Sequence, residues 1–340
     1  MIAIRVDGNG KIGLGHMMRC ISIACQLREN GIKVIFIISQ DSEDSILIKN
    51  VFCYFKLDSL VENGLNPEES MILIKRMKCK GLLIDSYRVQ KSDFIKFKTI
   101  VNIAYIDDIY AFDYPVDLLI NYNLEAKEFY CGKKRKDCVY LLGTKYFPLR
   151  KEFIQASKYY FLREVNNILI ITGSTDPYGI SLFLSDLLLT NFNGINIQIL
   201  LGKFYDDQYV NEILEAVSRE KRMEIVEWGN SMADIYAHSD LVITSGGTSC
   251  FEAMSMGIPC ISYEFVDNHH LQCEWMKKLD LAESLGDLSC NLDEKKGKIV
   301  DIIKSELDEK IRIKRIHVYS KYFDDKGAER ICDALINMIR

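Results

Sequence analysis

Much that would announce a chemistry is missing from this chain. None of its 11 cysteines forms a C-x-x-C pair, so neither a zinc ribbon nor a dithiol redox motif is written here. No G-x-x-x-x-G-K-[ST] segment exists, which excludes a P-loop. No D-x-D follows a strand-like run, because Asp107 and Asp108 are adjacent, and a turn cap is the plain reading of Asp108. The formal net charge of −5 gives no basic field for nucleic acid. The longest apolar runs, such as Val34–Ile38 and Ile168–Ile171, are strand-sized and far short of a membrane span. No basic stretch followed by a leader-like apolar run opens the sequence. Cys20, Cys25 and Cys260 fall at apolar positions and read as buried reduced thiols, so a cytoplasmic protein is expected.

What is present is an alternation. The 340 residues suffice for two domains, and 48% apolar with 27% charged residues is a globular balance. Strand patterns at 2–6, 33–38, 81–85, 102–107, 117–121 and 138–142 interleave with helical ones at 16–30, 42–50, 68–79 and 90–98. In the helix at 16–30, Met17, Cys20, Ile21, Ala24 and Leu27 keep helical spacing and are expected in the core. After a charged segment at 150–164 the pattern restarts. Strands fit at 167–172, 195–200, 223–227, 240–244 and 259–263, and helices at 178–190, 206–219, 231–237, 248–256 and 268–279. Helical stretches near 292–306, 309–321 and 326–339 close the chain. This predicts an α/β protein with two Rossmann-like doubly wound domains, 1–150 and 151–325, facing a cleft. The segment 326–340 is expected to pack back on the first domain.

The first glycine loop carries the strongest chemical signal. Arg5-Val-Asp7 leads into glycines at 8, 10, 13 and 15, then His16-Met-Met-Arg19-Cys20 at a helix start. Glycines admit a ligand close to the backbone, and a helix N-terminus offers unpaired N–H groups. A histidine there is pushed towards the neutral form a general base needs, so the layout points to a phosphorylated substrate beside a base. A dinucleotide fingerprint fits poorly: Met18 stands where G-x-G-x-x-G needs its third glycine, and the second strand ends in Ser39-Gln40 without an acid. A capping role in a surface loop is the bland reading of His16. Asp7 reads as ordering the loop or contacting a sugar, and Arg19 as facing phosphate or making a surface ion pair.

The second signal follows the strand at 240–244. Gly246 and Gly247 open a turn, Thr248 and Ser249 are placed to cap the next helix, and Glu252 lies one turn on. Exposed N–H groups there would receive a diphosphate, and Glu252 ribose hydroxyls. The alternative is a plain strand–turn–helix cap with Glu252 solvated. A similar turn, Thr172-Gly-Ser-Thr-Asp-Pro177, follows the first strand of the second half, with Pro177 suited to a first helical position. Such loops can hold a nucleotide diphosphate without a metal, and neither metal nor cofactor is expected.

These residues resemble a family. Arg5-Val-Asp7, Gly13-Leu-Gly15-His16-Met-Met-Arg19-Cys20, Ile84-Asp-Ser-Tyr87, Tyr105-Ile-Asp-Asp108, Asp117-Leu-Leu-Ile-Asn121, Leu142-Gly-Thr-Lys-Tyr146, Gly173-Ser-Thr-Asp-Pro177 and Gly246-Gly-Thr-Ser-Cys-Phe-Glu252 are similar to the nucleotide-sugar hydrolases of pseudaminic acid biosynthesis. Those enzymes cleave UDP-2,4-diacetamido-2,4,6-trideoxy-β-L-altropyranose, and related spore-coat polysaccharide proteins share the pattern. The resemblance spans nearly the whole chain and implies the two-domain GT-B fold. It further implies that His16 is the base or orients the attacking water. Arg5, Asp7, Gly13, Gly15, Arg19, Tyr87 and Asn268 are then assigned to the sugar side. Gly173, Ser174, Gly246, Gly247, Thr248, Ser249, Glu252 and His269 are assigned to the nucleotide. The implied activity is metal-independent, inverting hydrolysis of a UDP-sugar by a monomer or weak homo-oligomer.

Two departures bear on the substrate. Asp267-Asn268-His269-His270 replaces the family's Asn-Gln, and Ser174 replaces the second of the paired glycines. Adjacent histidines on a helix point about 100° apart, so one belongs at the site and the other at the surface. The competing expectation is a GT-B glycosyltransferase of cell-surface polysaccharide biosynthesis. A basic-apolar patch would favour it, and Lys133-Lys-Arg-Lys136 is the candidate, read otherwise as a solvated loop.

Overall fold

Each strongly apolar five- or six-residue run becomes a buried strand in the computed structural model, which describes residues 1–7, 14–40, 42, 45–57, 67–156, 161, 163–227 and 231–340. The chain divides into two compact units, Met1–Arg150 with Lys326–Arg340, and Lys151–Asp325. The first unit carries β1 (Ile2–Val6), β2 (Val34–Ser39), β3 (Cys53–Leu57), β4 (Gly81–Asp85), β5 (Asn102–Ile106), β6 (Leu118–Asn121) and β7 (Val139–Leu142). They pair in parallel in the order β3-β2-β1-β4-β5-β6-β7. The second unit carries β8 (Asn167–Ile171), β9 (Asn196–Leu201), β10 (Met223–Glu227), β11 (Leu241–Ser245), β12 (Cys260–Glu264) and β13 (Glu283–Asp287), also parallel, in the order β10-β9-β8-β11-β12-β13. Counted within its own unit, each sheet thus begins 3-2-1-4-5-6, the doubly wound Rossmann order.

Parallel strands with both faces covered need apolar residues at every position. Ala3, Ile35, Ile37, Leu82, Ile84 and Ile103 pack to one side with Phe94 and Phe97 of the helix Lys91–Lys98. Ile2 and Ile4 alternate with them and are equally sealed. Full burial of such a side chain is worth about 1.5–3 kcal/mol. The last helix, Gly327–Ile339, belongs to the first unit. The Asn102 amide donates to the Met338 carbonyl, and Arg330 donates to that of Lys145. A Cβ on Gly81 would meet the Ile339 side chain at 2.6 Å, so the sheet comes close to this helix.

Some sequence expectations shift. Two strands, β3 and β13, fall where none was expected. Both are sheet edges with half-exposed residues, so neither carries the continuous apolar run of an interior strand. In the helix Gly15–Glu29 the buried isoleucine is Ile23, while Ile21 is only half-buried. Pro177 does not open a helix. That helix spans Ile180–Asn191 and is capped by Asp176, which accepts from the N–H groups of Ile180 and Ser181 at 2.8 Å each.

Candidate active site

In doubly wound sheets, ligand sites form at the carboxyl ends of strands beside the point where strand order reverses. In the first unit that point lies between β1 and β4, and the chemistry gathers there. The helix Gly15–Glu29 presents His16, Arg19 and Cys20, three and four residues apart, on one face. All three converge on Asp85, the last residue of β4. His16 Nδ1 lies 2.6 Å from Asp85 Oδ1, and Arg19 grips the carboxylate bidentately through Nη2 at 2.5 Å and Nε at 2.6 Å. The Cys20 thiol adds a contact at 3.4 Å.

Geometry fixes the tautomer. Asp85 is 1% exposed, and burial alone would raise its pKa, but the Arg19 charge and the hydrogen bonds from Arg19 and His16 hold it well below the usual carboxylate range. A carboxylate 2.6 Å from a ring nitrogen requires a proton on that nitrogen, so Nδ1 donates to Asp85. The 2.8 Å approach of Arg19 Nη2 to Nδ1 then follows from both groups donating to the same oxygen. Nε2 is left as the acceptor, and among the described residues none hydrogen-bonds it. The Tyr87 ring meets the imidazole edge-on, with centroids 4.7 Å apart.

The neighbouring strand ends complete the cluster. Arg19 Nη1 donates to Asp108 Oδ2 at 3.0 Å and to the Tyr122 hydroxyl at 2.7 Å, and the Tyr87 hydroxyl donates to Asp108 Oδ2 at 3.1 Å. Asp7, after β1, accepts from Arg5 Nη1 and the Ser86 hydroxyl, each at 2.7 Å. Burial opposes its charge, yet Arg5 and Ser86 lower its pKa. Arg19 therefore turns its donors to protein groups rather than outward. Three carboxylates (Asp7, Asp85, Asp108) face two guanidiniums (Arg5, Arg19) in this cluster. Among the described residues that leaves a net acidic cluster, which disfavours phosphate. Asp107, not Asp108, caps the turn: it accepts from the N–H groups of Ile109 and Tyr110 and the hydroxyls of Tyr114 and Tyr130.

In the second unit the reversal lies between β8 and β11, and a glycine turn follows each strand. Gly173 follows Thr172 after β8 with φ 93°, a left-handed conformation that favours glycine, and Ser174 continues the loop. After β11, Gly246 and Gly247 lead into the helix Thr248–Met256. Gly247 is its N-cap and no side chain caps it, so Thr248 and Ser249 do not take the expected capping role. Its first-turn N–H groups are those a phosphate would meet. A Cβ on Gly246 would stand 2.5 Å from Cys273 Sγ and 3.1 Å from the His269 carbonyl oxygen. Glu252 is 9% exposed in this helix rather than solvated.

The two histidines of the helix Asp267–Lys278 separate as their spacing requires. His270 is exposed and pairs with Glu264 at 2.8 Å. The His269 ring packs on Phe265, its Nδ1 buried without a partner among the described residues, and Nε2 lies 3.7 Å from where a Gly247 Cβ would be. Burial pushes its pKa down to about 4, so the ring is neutral. Gln272, one turn on, is 7% exposed, with neither end of its amide hydrogen-bonded among the described residues. Gly13 and the side chain of Asn268 lie outside the described residues, and Gly15 is the first residue of its helix.

Sequence reasoning assigned no role to Asp85, Tyr122 or Gln272, and only a turn cap to Asp108. Asp85 had a readable signal, because Gly81-Leu-Leu-Ile-Asp85 is a buried strand ending on a carboxylate. No pattern in the sequence marks Tyr122 or Gln272.

Comparison with known proteins defines a class. The chain superposes on Arabidopsis thaliana UGT89C1 complexed with UDP with a TM-score of 0.71, at 12% identity over 99% of each chain. The two Rossmann-like parallel sheets are those of the GT-B fold, and residues 167–273 match the glycosyltransferase family 28 C-terminal domain. The protein thus has a GT-B-like fold, with a C-terminal half similar to that glycosyltransferase domain. Among individual relatives, it is 29% identical over 273 residues to the uncharacterized protein MJ1062 of Methanocaldococcus jannaschii, covering 76% of this chain. It is 23% identical over 296 residues to the spore coat polysaccharide biosynthesis protein SpsG of Bacillus subtilis, covering 84% of this chain. The chain spans about half (54%) of the length of MJ1062 and 83% of SpsG. Among the described residues no helix is long and apolar enough to cross a membrane.

Proposed function

We propose that this protein transfers the glycosyl group of a nucleoside diphosphate sugar to a hydroxyl acceptor in polysaccharide biosynthesis, with inversion and with His16 as general base. The observation that carries the reading is the His16–Asp85 pair, which fixes the proton on Nδ1 and leaves Nε2 to accept one. Nε2 takes the proton of the attacking O–H as its oxygen bonds to the anomeric carbon. The anomeric C–O bond to the diphosphate breaks, and its electron pair leaves on the phosphate oxygen. Asp85 holds the ring and stabilises the imidazolium that forms. The Gly247–Thr248 helix start meets the charge growing on the diphosphate, with Glu252 and His269 beside it. The family 28 match favours transfer over hydrolysis, and the spore-coat relative fits a role in polysaccharide biosynthesis.

Hydrolysis is the second reading, and one observation favours it. His16, Arg19 and Cys20 of the motif shared with the sugar-nucleotide hydrolases all converge on Asp85, and His16 is only 7% exposed, which suits a nucleophile as small as water. The substrate would then be UDP-2,4-diacetamido-2,4,6-trideoxy-β-L-altropyranose. Incubation with this compound and with UDP-N-acetylglucosamine, in EDTA and ¹⁸O-water, separates the two. Transfer predicts that the sugar nucleotides persist until an acceptor is added, whereas hydrolysis predicts ¹⁸O at the anomeric carbon of free sugar. A protein that binds no UDP would refute both.

A further inference from the structure

Asp108 does more than hold Arg19. Its Oδ2 receives both Arg19 Nη1 and the Tyr87 hydroxyl, which fixes the plane of the carboxylate. Its Oδ1 is buried and has no hydrogen-bond partner among the described residues. An ionised oxygen kept from water without a donor carries a desolvation penalty that the protein leaves uncompensated. Tyr87, whose hydroxyl bonds Asp108, also meets the His16 ring and is 38% exposed, so rotation of this side chain opens the carboxylate to an incoming group.

From these observations we propose that Asp108 is a specificity-determining residue, its Oδ1 accepting a hydrogen bond from a hydroxyl or amide N–H of the reacting sugar. The inference rests on the proposed use of a nucleoside diphosphate sugar. The sugar is the part of such a substrate whose anomeric carbon must come within one nucleophile of His16 Nε2, and Tyr87 and Arg19 both link His16 to Asp108. Among the described residues three carboxylates outnumber two guanidiniums here, which disfavours the diphosphate. For the same reason the subsite rejects a sugar bearing a carboxylate and accepts neutral sugars rich in donors.

Titration calorimetry with UDP, UDP-N-acetylglucosamine and UDP-glucuronate tests this on wild type, Asp108→Asn and Asp108→Glu. Wild type should bind the acetamido sugar nucleotide about tenfold or more tighter than the glucuronate, as expected for a hydrogen bond to a charged group. Asp108→Asn should bring that ratio towards one while the affinity for UDP alone stays unchanged, which also shows that the variant is folded. Asp108→Glu keeps the charge but moves it, and should weaken the acetamido sugar nucleotide while still rejecting the glucuronate. Unchanged ratios in both variants, with UDP bound normally, would overturn the assignment of Asp108 alone. Failure of wild type to bind UDP would instead remove the nucleotide-sugar reading and this subsite with it.

Discussion

Replacing Asp85 by asparagine tests the centre of the site on three axes at once. The carboxylate accepts from His16, twice from Arg19 and from Cys20, and asparagine keeps its outline while losing its charge and one acceptor oxygen. Removing one partner of a buried ion pair costs about 3–5 kcal/mol. Asp108 still holds Arg19, so about 3 kcal/mol is expected at pH 7. The pH dependence has a definite sign. The native carboxyl lies below its usual range, so its stabilisation is complete above about pH 4 and drains as pH falls below that. Asparagine has nothing to lose in that window, so the gap between the proteins should narrow by about 1 kcal/mol at pH 3. Turnover should fall by about 10²–10⁴-fold with little change in KM, because the base loses its tautomer but not its substrate. Urea midpoints at pH 7 and pH 3, with steady-state kinetics, read all three. Equal midpoints at pH 7, or a gap that widens in acid, would refute the reasoning.

Two more outcomes follow from the second unit. Gly246→Ala places a Cβ 2.5 Å from Cys273 Sγ, which displaces the turn and should weaken UDP binding by about tenfold or more, measured by calorimetry; undiminished affinity would contradict the phosphate-binding role of this turn. His269 titrates near pH 4 in the folded protein because it is buried, so the unfolded chain binds more protons between about pH 4 and 6.5. Stability should therefore fall as pH drops through that window, by an amount on the order of 3 kcal/mol, and His269→Gln should flatten this dependence in denaturation curves.

The fold was legible where burial is two-sided. Runs such as Val34-Ile-Phe-Ile-Ile38 have one structural solution once helical stretches separate them, and the restart of the pattern after 150–164 is written in the sequence. Edges are weaker signals: Cys53–Leu57 and Glu283–Asp287 are each covered on one side only, so polar residues and Gly286 dilute their pattern. Half of the candidate site was legible for a local reason, since His16, Arg19 and Cys20 lie within five residues. Their common target was not. Asp85 is 69 positions from His16, and Asp108 is 89 from Arg19, so only the β1–β4–β5 order brings them together. Arg19 shows the cost of missing those partners: alone it suggests a phosphate ligand, whereas beside Asp85 and Asp108 its charge is already matched.

The most direct test of the central claim is UDP release, followed by ³¹P NMR in EDTA, from UDP-2,4-diacetamido-2,4,6-trideoxy-β-L-altropyranose and UDP-N-acetylglucosamine, with candidate acceptors present and absent. Wild type and His16→Ala should be compared side by side. The account predicts release by wild type, a loss of about 10²–10⁴-fold in His16→Ala, and equal affinity of both proteins for UDP. Release at the wild-type rate by His16→Ala would contradict it.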